Sequence, residues 1–310
     1  MAADIRTTTR SLLKVFAFLA AVCCTLDAAR SSNAPRDVLV IPSSTAAPYQ
    51  AAEKSLRSQL KSAGVQVSSR AISDISGADL KALSTSATTI LVALGTESAL
   101  RLKTASATPS FIYCMVADPE GAGLSDGETV DGVTTDVSPA DQIAVIREAF
   151  PNARRLATLF RSNEAKSRDR FEDARRAMPA GMSLIGVDLA NEESVNSALK
   201  AMLGTKPDVI WTLADSKVYD TGTIRALLKA SLAAGLPVFG FSSQVVRAGA
   251  PVGVGVRPDD QGEQAARLVL DRVNGTGDGG RTASDRGITA PRVRISLNST
   301  VVERLSLKLP

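Results

Sequence analysis

No histidine occurs anywhere in the 310 residues. Its absence removes Ser-His-Asp and Cys-His catalysis and every histidine-ligated metal site. Carboxylate, lysine and serine–lysine chemistry stay open. Aromatic residues are nearly as scarce, at 4%, with one Trp and three Tyr. Sites that stack sugar rings on aromatics therefore have few platforms, and Trp211 stands inside an apolar strand where a core role is expected. The core must come mainly from Ala, Val, Leu and Ile. There are three cysteines, and Cys23 and Cys24 both lie in an apolar N-terminal run. Cys114 then has no intramolecular disulfide partner and is expected as a buried packing residue. Strong net charge is also missing. The formal charge is +4, and the first thirty residues hold four basic and two acidic side chains, so the rest carries about +2. With no basic stripe interleaved with aromatics, nucleic acid is not an expected partner.

The N-terminus has the form of an export signal. Arg6, Arg10 and Lys14 precede the apolar run Val15–Leu26, which is of secretory length and too short to span a bilayer as a mature helix. Residues 1–30 are therefore expected to be a cleaved signal peptide, with Ala28, Ala29 or Ala34 at the cleavage point. A short membrane anchor is the alternative. A lipid anchor on Cys23 or Cys24 is disfavoured, because neither follows a small residue.

After Pro35, short β-rich runs alternate with helical segments. Val38–Ile41 precedes a helix over Ala47–Ala63; Val65–Ser68, Thr89–Leu94 and Ser110–Val116 read as strands. Thr89–Leu94 is continuously apolar, as a fully buried parallel strand should be. Residues 120–132 read as a loop. The alternation then resumes with a helix capped by Ser138 and Pro139, strands at Leu156–Phe160, Met182–Val187 and Val209–Leu213, a helix capped by Asn191, and a helix over Thr221–Ala234. Val238–Phe241 leads into a polar turn at Ser242–Ser243–Gln244, then a strand at Val252–Val256 and a helix opened by Pro258. Residues 274–287 hold five glycines and no apolar periodicity, and read as a loop before a last strand, Arg292–Leu297. Strand–helix alternation predicts an α/β fold with parallel sheets, and the break near residues 120–135 predicts two lobes.

Several segments, taken in order, carry a resemblance. They are GTESA at Gly95–Ala99, VADPEGAGL at Val116–Leu124, VDGVTTDVSPADQIAVIREAFPNARRLATLF at Val130–Phe160, DVIWTLADSKVYD at Asp208–Asp220, and PVF followed by the G-x-x-A-A helix Gly262–Ala266. With these, the chain from Asp37 onward resembles the ABC transporter substrate-binding protein family, of the type 1 periplasmic-binding-protein fold. The resemblance implies two Rossmann-like lobes with parallel sheets, joined by a hinge of three crossings, with a ligand in the cleft. Lobe 1 is expected from residues 36–120 and 250–285, and lobe 2 from 121–249 and 286–310, with Ala248–Gly249–Ala250 as a hinge crossing. It also implies an exported, periplasmic monomer. The protein would deliver a small polar solute to an ABC permease at the inner membrane, or present one to a sensory receptor.

Polar residues gather where predicted strands end: Ser43 and Ser44, Gly95 and Thr96, Ser162 and Asn163, Asp215 and Ser216, Ser242 and Ser243. Such positions form the mouth of an open α/β sheet, beside helix N-termini that favour anions. Thr96 is suited to a ligand carboxylate and Asp215 to a ligand ammonium; together they suit an amino acid or a similar zwitterion. The candidate ligand-binding set is Ser43, Ser44, Gly95, Thr96, Asp118, Asp215, Ser242 and Ser243, Asp118 entering through the resemblance of its DP segment. The plainer roles are helix caps for the hydroxyls and a turn for the aspartates. No metal or cofactor is expected. An enzyme on this scaffold, such as a two-cysteine racemase, is disfavoured because the mature chain keeps only Cys114.

Overall fold

The computed structural model describes residues 37–86, 88–124, 130–274 and 287–308. The apolar N-terminal run with Cys23 and Cys24, and most of the glycine-rich stretch after Asn274, lie outside them.

The described strands form two six-stranded sheets. The first contains β1 (Asp37–Pro42), β2 (Val67–Ser69), β3 (Thr89–Leu94), β4 (Phe111–Val116), β5 (Val130–Thr134) and β11 (Ile288–Thr289), in the order β11-β5-β4-β3-β1-β2. All its pairings are parallel. The second contains β6 (Arg155–Phe160), β7 (Ser183–Asp188), β8 (Val209–Trp211), β9 (Val238–Gly240), β10 (Val252–Val256) and β12 (Val293–Leu297), in the order β12-β10-β9-β8-β6-β7. There β12 alone runs antiparallel.

Parallel strands need helical cover on both faces, which explains the unbroken apolar runs. On the first sheet, α1 (Ala47–Ser62) and α9 (Pro258–Val273) cover one face, and α2 (Gly77–Ser84) and α3 (Thr96–Ala105) the other. Helices α1 and α9 cross so closely that a Cβ on Gly262 would stand 2.1 Å from the Ala52 carbonyl oxygen. Only glycine fits that contact, which is the physical reason for the glycine of the G-x-x-A-A helix. The second sheet is covered by α4 (Pro139–Ala149), α5 (Ala165–Arg176), α6 (Val195–Gly204), α7 (Thr221–Ala233) and α8 (Ser243–Ala248); α10 (Ser299–Arg304) follows β12 and buries no residue. Its core holds Trp211, fully buried, whose indole N–H donates to Gln142 Oε1 at 2.9 Å.

The chain passes between the sheets three times: from β5 to α4 through residues 135–138, from β10 to α9 at Arg257, and from β11 to β12 through residues 290–292. These positions correct the expected boundaries. The Val252–Val256 strand pairs with Phe239 and Gly240 in the second sheet, not in the first lobe. Ala248–Gly249–Ala250 is no crossing; Gly249, at φ 134°, closes α8, and Ala250 is fully buried in the second core. β5 and β11, at residues assigned above to lobe 2, pair in the first sheet. The sequence hid β5 because its glycine and aspartate, Asp131 and Gly132, look like a turn. Gly132 instead lies against the Tyr113 ring, 2.3 Å from where its Cβ would stand. Two smaller corrections concern caps. The helix assigned to Asn191 is capped by Ser194 in a capping box with Ser197, and the turn expected at Ser242–Gln244 is the first turn of α8.

One cluster ties the crossings together at the start of α9. Asp260, 3% exposed, accepts from Arg294 Nε and Nη2, both at 2.7 Å, and from Arg292 Nη1 at 2.9 Å. Its neighbour Gln261, fully buried, accepts from the Met115 N–H at 3.1 Å and donates to the Thr134 carbonyl at 2.9 Å. Met115 has φ 61°, and the β4–β5 register shifts between Tyr113 and Val116. Gln261 thus satisfies backbone groups that the bulge removes from the ladder. The lobe-1 helix α9 thereby holds the end of β5 and the segment leading into β12 together.

Candidate functional site

The C-terminal ends of the two sheets face one another. Lys166, in the first turn after β6, bonds Asp118, which follows β4, at 2.8 Å; one turn on, Arg170 bonds Asp136 of the first crossing at 2.9 Å. The space between is the crevice where open α/β sheets take ligands.

On the lobe-1 side, β3 ends at Leu94 and Gly95 turns the chain into α3 at φ 105°, a conformation that disfavours any side chain. A Cβ there would lie 2.6 Å from the Tyr49 ring and 2.7 Å from Ser43 Oγ, so the turn is packed as well as strained. Ser43 Oγ accepts from Ser98 N–H and donates to Ser98 Oγ, both at 2.9 Å. Ser43 therefore caps α3 across a long sequence separation. Ser44 Oγ accepts from Ala46 N–H at 3.1 Å in a local turn. What remains for a ligand is the first turn of α3. The Thr96 and Glu97 backbone N–H groups and the exposed Thr96 hydroxyl have no acceptor among the described residues. Free N–H groups at the positive end of a helix attract an anion. Glu97 places an exposed carboxylate on the same turn, which disfavours a highly charged anion there.

On the lobe-2 side, Asp215 follows β8. One of its carboxylate oxygens accepts from Lys217 N–H at 2.9 Å; the other has no partner among the described residues. Arg161, at the end of β6, donates through Nε to the Lys217 carbonyl at 3.0 Å, which leaves its two Nη groups without a bond among the described residues. Ser242 caps α8 by accepting from Val245 N–H, and Ser243 accepts from Arg247 Nη1, each at 3.3 Å. Phe241 is half-buried beside Tyr219, with ring centroids 6.2 Å apart. Tyr219 itself is structural: its hydroxyl is 2.8 Å from Thr158 Oγ1 and accepts from Leu159 N–H.

The geometry sorts the eight residues named from sequence. Gly95, Thr96 and Asp215 keep free groups or shape at the crevice. Ser43, Ser44 and Ser242 have their hydroxyls engaged in caps and a turn, and Ser243 accepts from the Arg247 side chain. Asp118 accepts from Gly121 N–H and is paired with Lys166, whose hydrogen bond holds its carboxyl below the ordinary value against the opposing effect of partial burial. Two residues outside that set stand beside it: Arg161, one residue past β6, and Tyr49, against the Gly95 turn; neither belongs to the serine, threonine and aspartate pattern of the strand ends. Among the described residues no cluster of His, Cys, Asp and Glu has metal-binding form.

Two mostly parallel six-stranded sheets with facing C-terminal ends, linked by three crossings, define the class of two-lobed α/β binding proteins. Comparison with known families places the chain within that class: the ABC transporter substrate binding protein model matches residues 45–282, and the chain belongs to that family. No curated protein sequence matches it significantly. Solved structures share the fold. The ligand-free, open structure of CD0873, a substrate binding protein with adhesive properties from Clostridium difficile, aligns with TM-score 0.73 at 16% identity, over 89% of this chain and 96% of that one. An ABC domain in complex with L-Trp from Streptococcus pneumonia aligns with TM-score 0.56 at 17% identity, over 88% and 96%. A XylFII–LytSN complex aligns with TM-score 0.58 at 11% identity, over 86% and 99%.

Proposed function

We propose that this substrate-binding protein holds a small zwitterionic solute, an amino acid or a close analogue, in the crevice and delivers it to an ABC importer. The observation that carries the reading is the pairing of opposite polarities at the crevice. The α3 N-terminus at Thr96 and the Nη groups of Arg161 attract a carboxylate, while the free oxygen of Asp215 accepts from an ammonium. Tyr49 and Phe241 offer apolar faces for a side chain. The L-Trp complex of the pneumococcal relative supports the same ligand class. Binding energy that depends on both lobes favours the closed form, so closure and solute capture are one equilibrium. Delivery from an exported, periplasmic state accords with the N-terminal run described above.

The XylFII–LytSN complex gives the second reading, presentation of the solute to a signalling receptor, a specific precedent on this fold. The chemistry of capture is the same in both. The test is a thermal-shift panel on the chain from Asp37 onward, with amino acids, small carboxylic acids, purines and sugars. The reading expects stabilisation by a zwitterion, about 2.7 kcal/mol at a hundredfold excess over Kd. It fails if sugars or purines stabilise the protein and no zwitterion does.

A further inference from the structure

We infer that lobe 2 carries a second binding surface, a groove along α7 for an acidic amphipathic segment of a partner protein. The groove has a volume of about 630 Å³ and lies between α7, α8 and α10. Ile224, Leu228, Leu232, Val245 and Val301 line it, with Phe241 and Ser242 at its crevice end. Arg225 and Lys229 stand on its rim, exposed and one helical turn apart. Neither has an ion pair or hydrogen bond among the described residues, and no acidic side chain lines the groove.

These features select the occupant. The groove follows α7 from Thr221 at the crevice end to Leu232, about 17 Å at the helical rise. That length is too great for a solute the size of an amino acid and suits about three turns of helix. Arg225 and Lys229 are spaced to meet two carboxylates one turn apart on that helix, beside a stripe of branched apolar residues. Such a helix-in-groove contact derives its affinity from the apolar stripe and its specificity from the charges. The inference is independent of which solute fills the crevice.

The probe is a fluorescent alanine-based helical peptide of about 16 residues. It carries Leu along one stripe and two Glu one turn apart at its flank. A matched peptide carries Lys in place of both Glu. Anisotropy titrations use the chain from Asp37 onward, at low salt. The expected result is binding of the Glu peptide, weakened about tenfold or more by the Arg225→Glu/Lys229→Glu double substitution. The Lys peptide should bind the double variant better than it binds wild type. Solute-induced thermal stabilisation should be unchanged in the variant, which separates this surface from the crevice. The inference is overturned if the Glu peptide does not bind, if Glu and Lys peptides bind wild type equally, or if charge reversal leaves binding unchanged. It is also overturned if a fatty acid such as laurate binds the groove and neither peptide does.

Discussion

Replacing Asp260 with alanine should destabilise the protein by about 2–3 kcal/mol at neutral pH. The carboxylate is 3% exposed and accepts three hydrogen bonds from Arg292 and Arg294. Deleting one partner of a buried ion pair costs about 3–5 kcal/mol, because the other charge is stranded. Here the stranded groups are Arg292 and Arg294, whose side chains are 32% and 47% exposed and can recover water, so the cost falls to or below the bottom of that range, about 2–3 kcal/mol. The effect should depend on pH. The Arg294 hydrogen bond, aided by Arg292 and opposed by burial, holds the Asp260 carboxyl below the ordinary aspartate value of about 3.9. A depressed carboxyl contributes stability that is fully present above the unfolded-state value and is lost as pH falls through the folded-state value. The gap between wild type and Asp260→Ala should therefore be constant from pH 7 to about 5 and shrink below about 4. Urea titrations at several pH values measure it by circular dichroism, with Trp211 fluorescence reporting lobe 2 separately. A gap under about 1 kcal/mol at pH 7, or one unchanged at pH 3, would show that Asp260 does not hold the crossings through these ion pairs.

Other substitutions test single elements. Gly95→Val should abolish solute stabilisation and cost about 1–3 kcal/mol, because φ is 105° and the new side chain meets Tyr49 and Ser43; isothermal titration and urea unfolding check both. Tyr113→Phe should be neutral or slightly stabilising in the same unfolding assay, since the Tyr113 hydroxyl is buried with no hydrogen-bond partner among the described residues. Cys114 is fully buried, and burial pushes its thiol up to about 12, so a maleimide should label it only after denaturant is added. Lys166→Ala should change stability by less than about 1 kcal/mol, because the Lys166 side chain is 81% exposed; salt should erase even that.

The strand–helix alternation was legible because each parallel strand is buried on both faces and so reads as an apolar run. Thr89–Leu94 is the clearest case, found in place as β3. The boundaries between sheets were not legible. Val252–Val256 carries the same pattern whichever sheet it joins, and only its pairing with β9 and β12 decides the matter. β5 was lost because Gly132, which makes room for the Tyr113 ring, looks like a turn residue. At the site, sequence located the strand ends but not which polar atoms stay free. Ser43 looks like Thr96 in sequence, yet its hydroxyl is engaged by Ser98, a residue 55 positions away. A single arginine after a strand, such as Arg161, carries no pattern; its Nε is fixed by the Lys217 carbonyl, on a separate loop.

Capture of a zwitterion between Thr96, Arg161 and Asp215 is tested directly by native mass spectrometry of the purified chain, before and after incubation with the amino acid that stabilises it most. One non-covalent adduct per chain is expected for wild type, and its loss in both Arg161→Ala and Asp215→Ala. An adduct retained at equal intensity in both variants would contradict the account, as would no adduct with any amino acid.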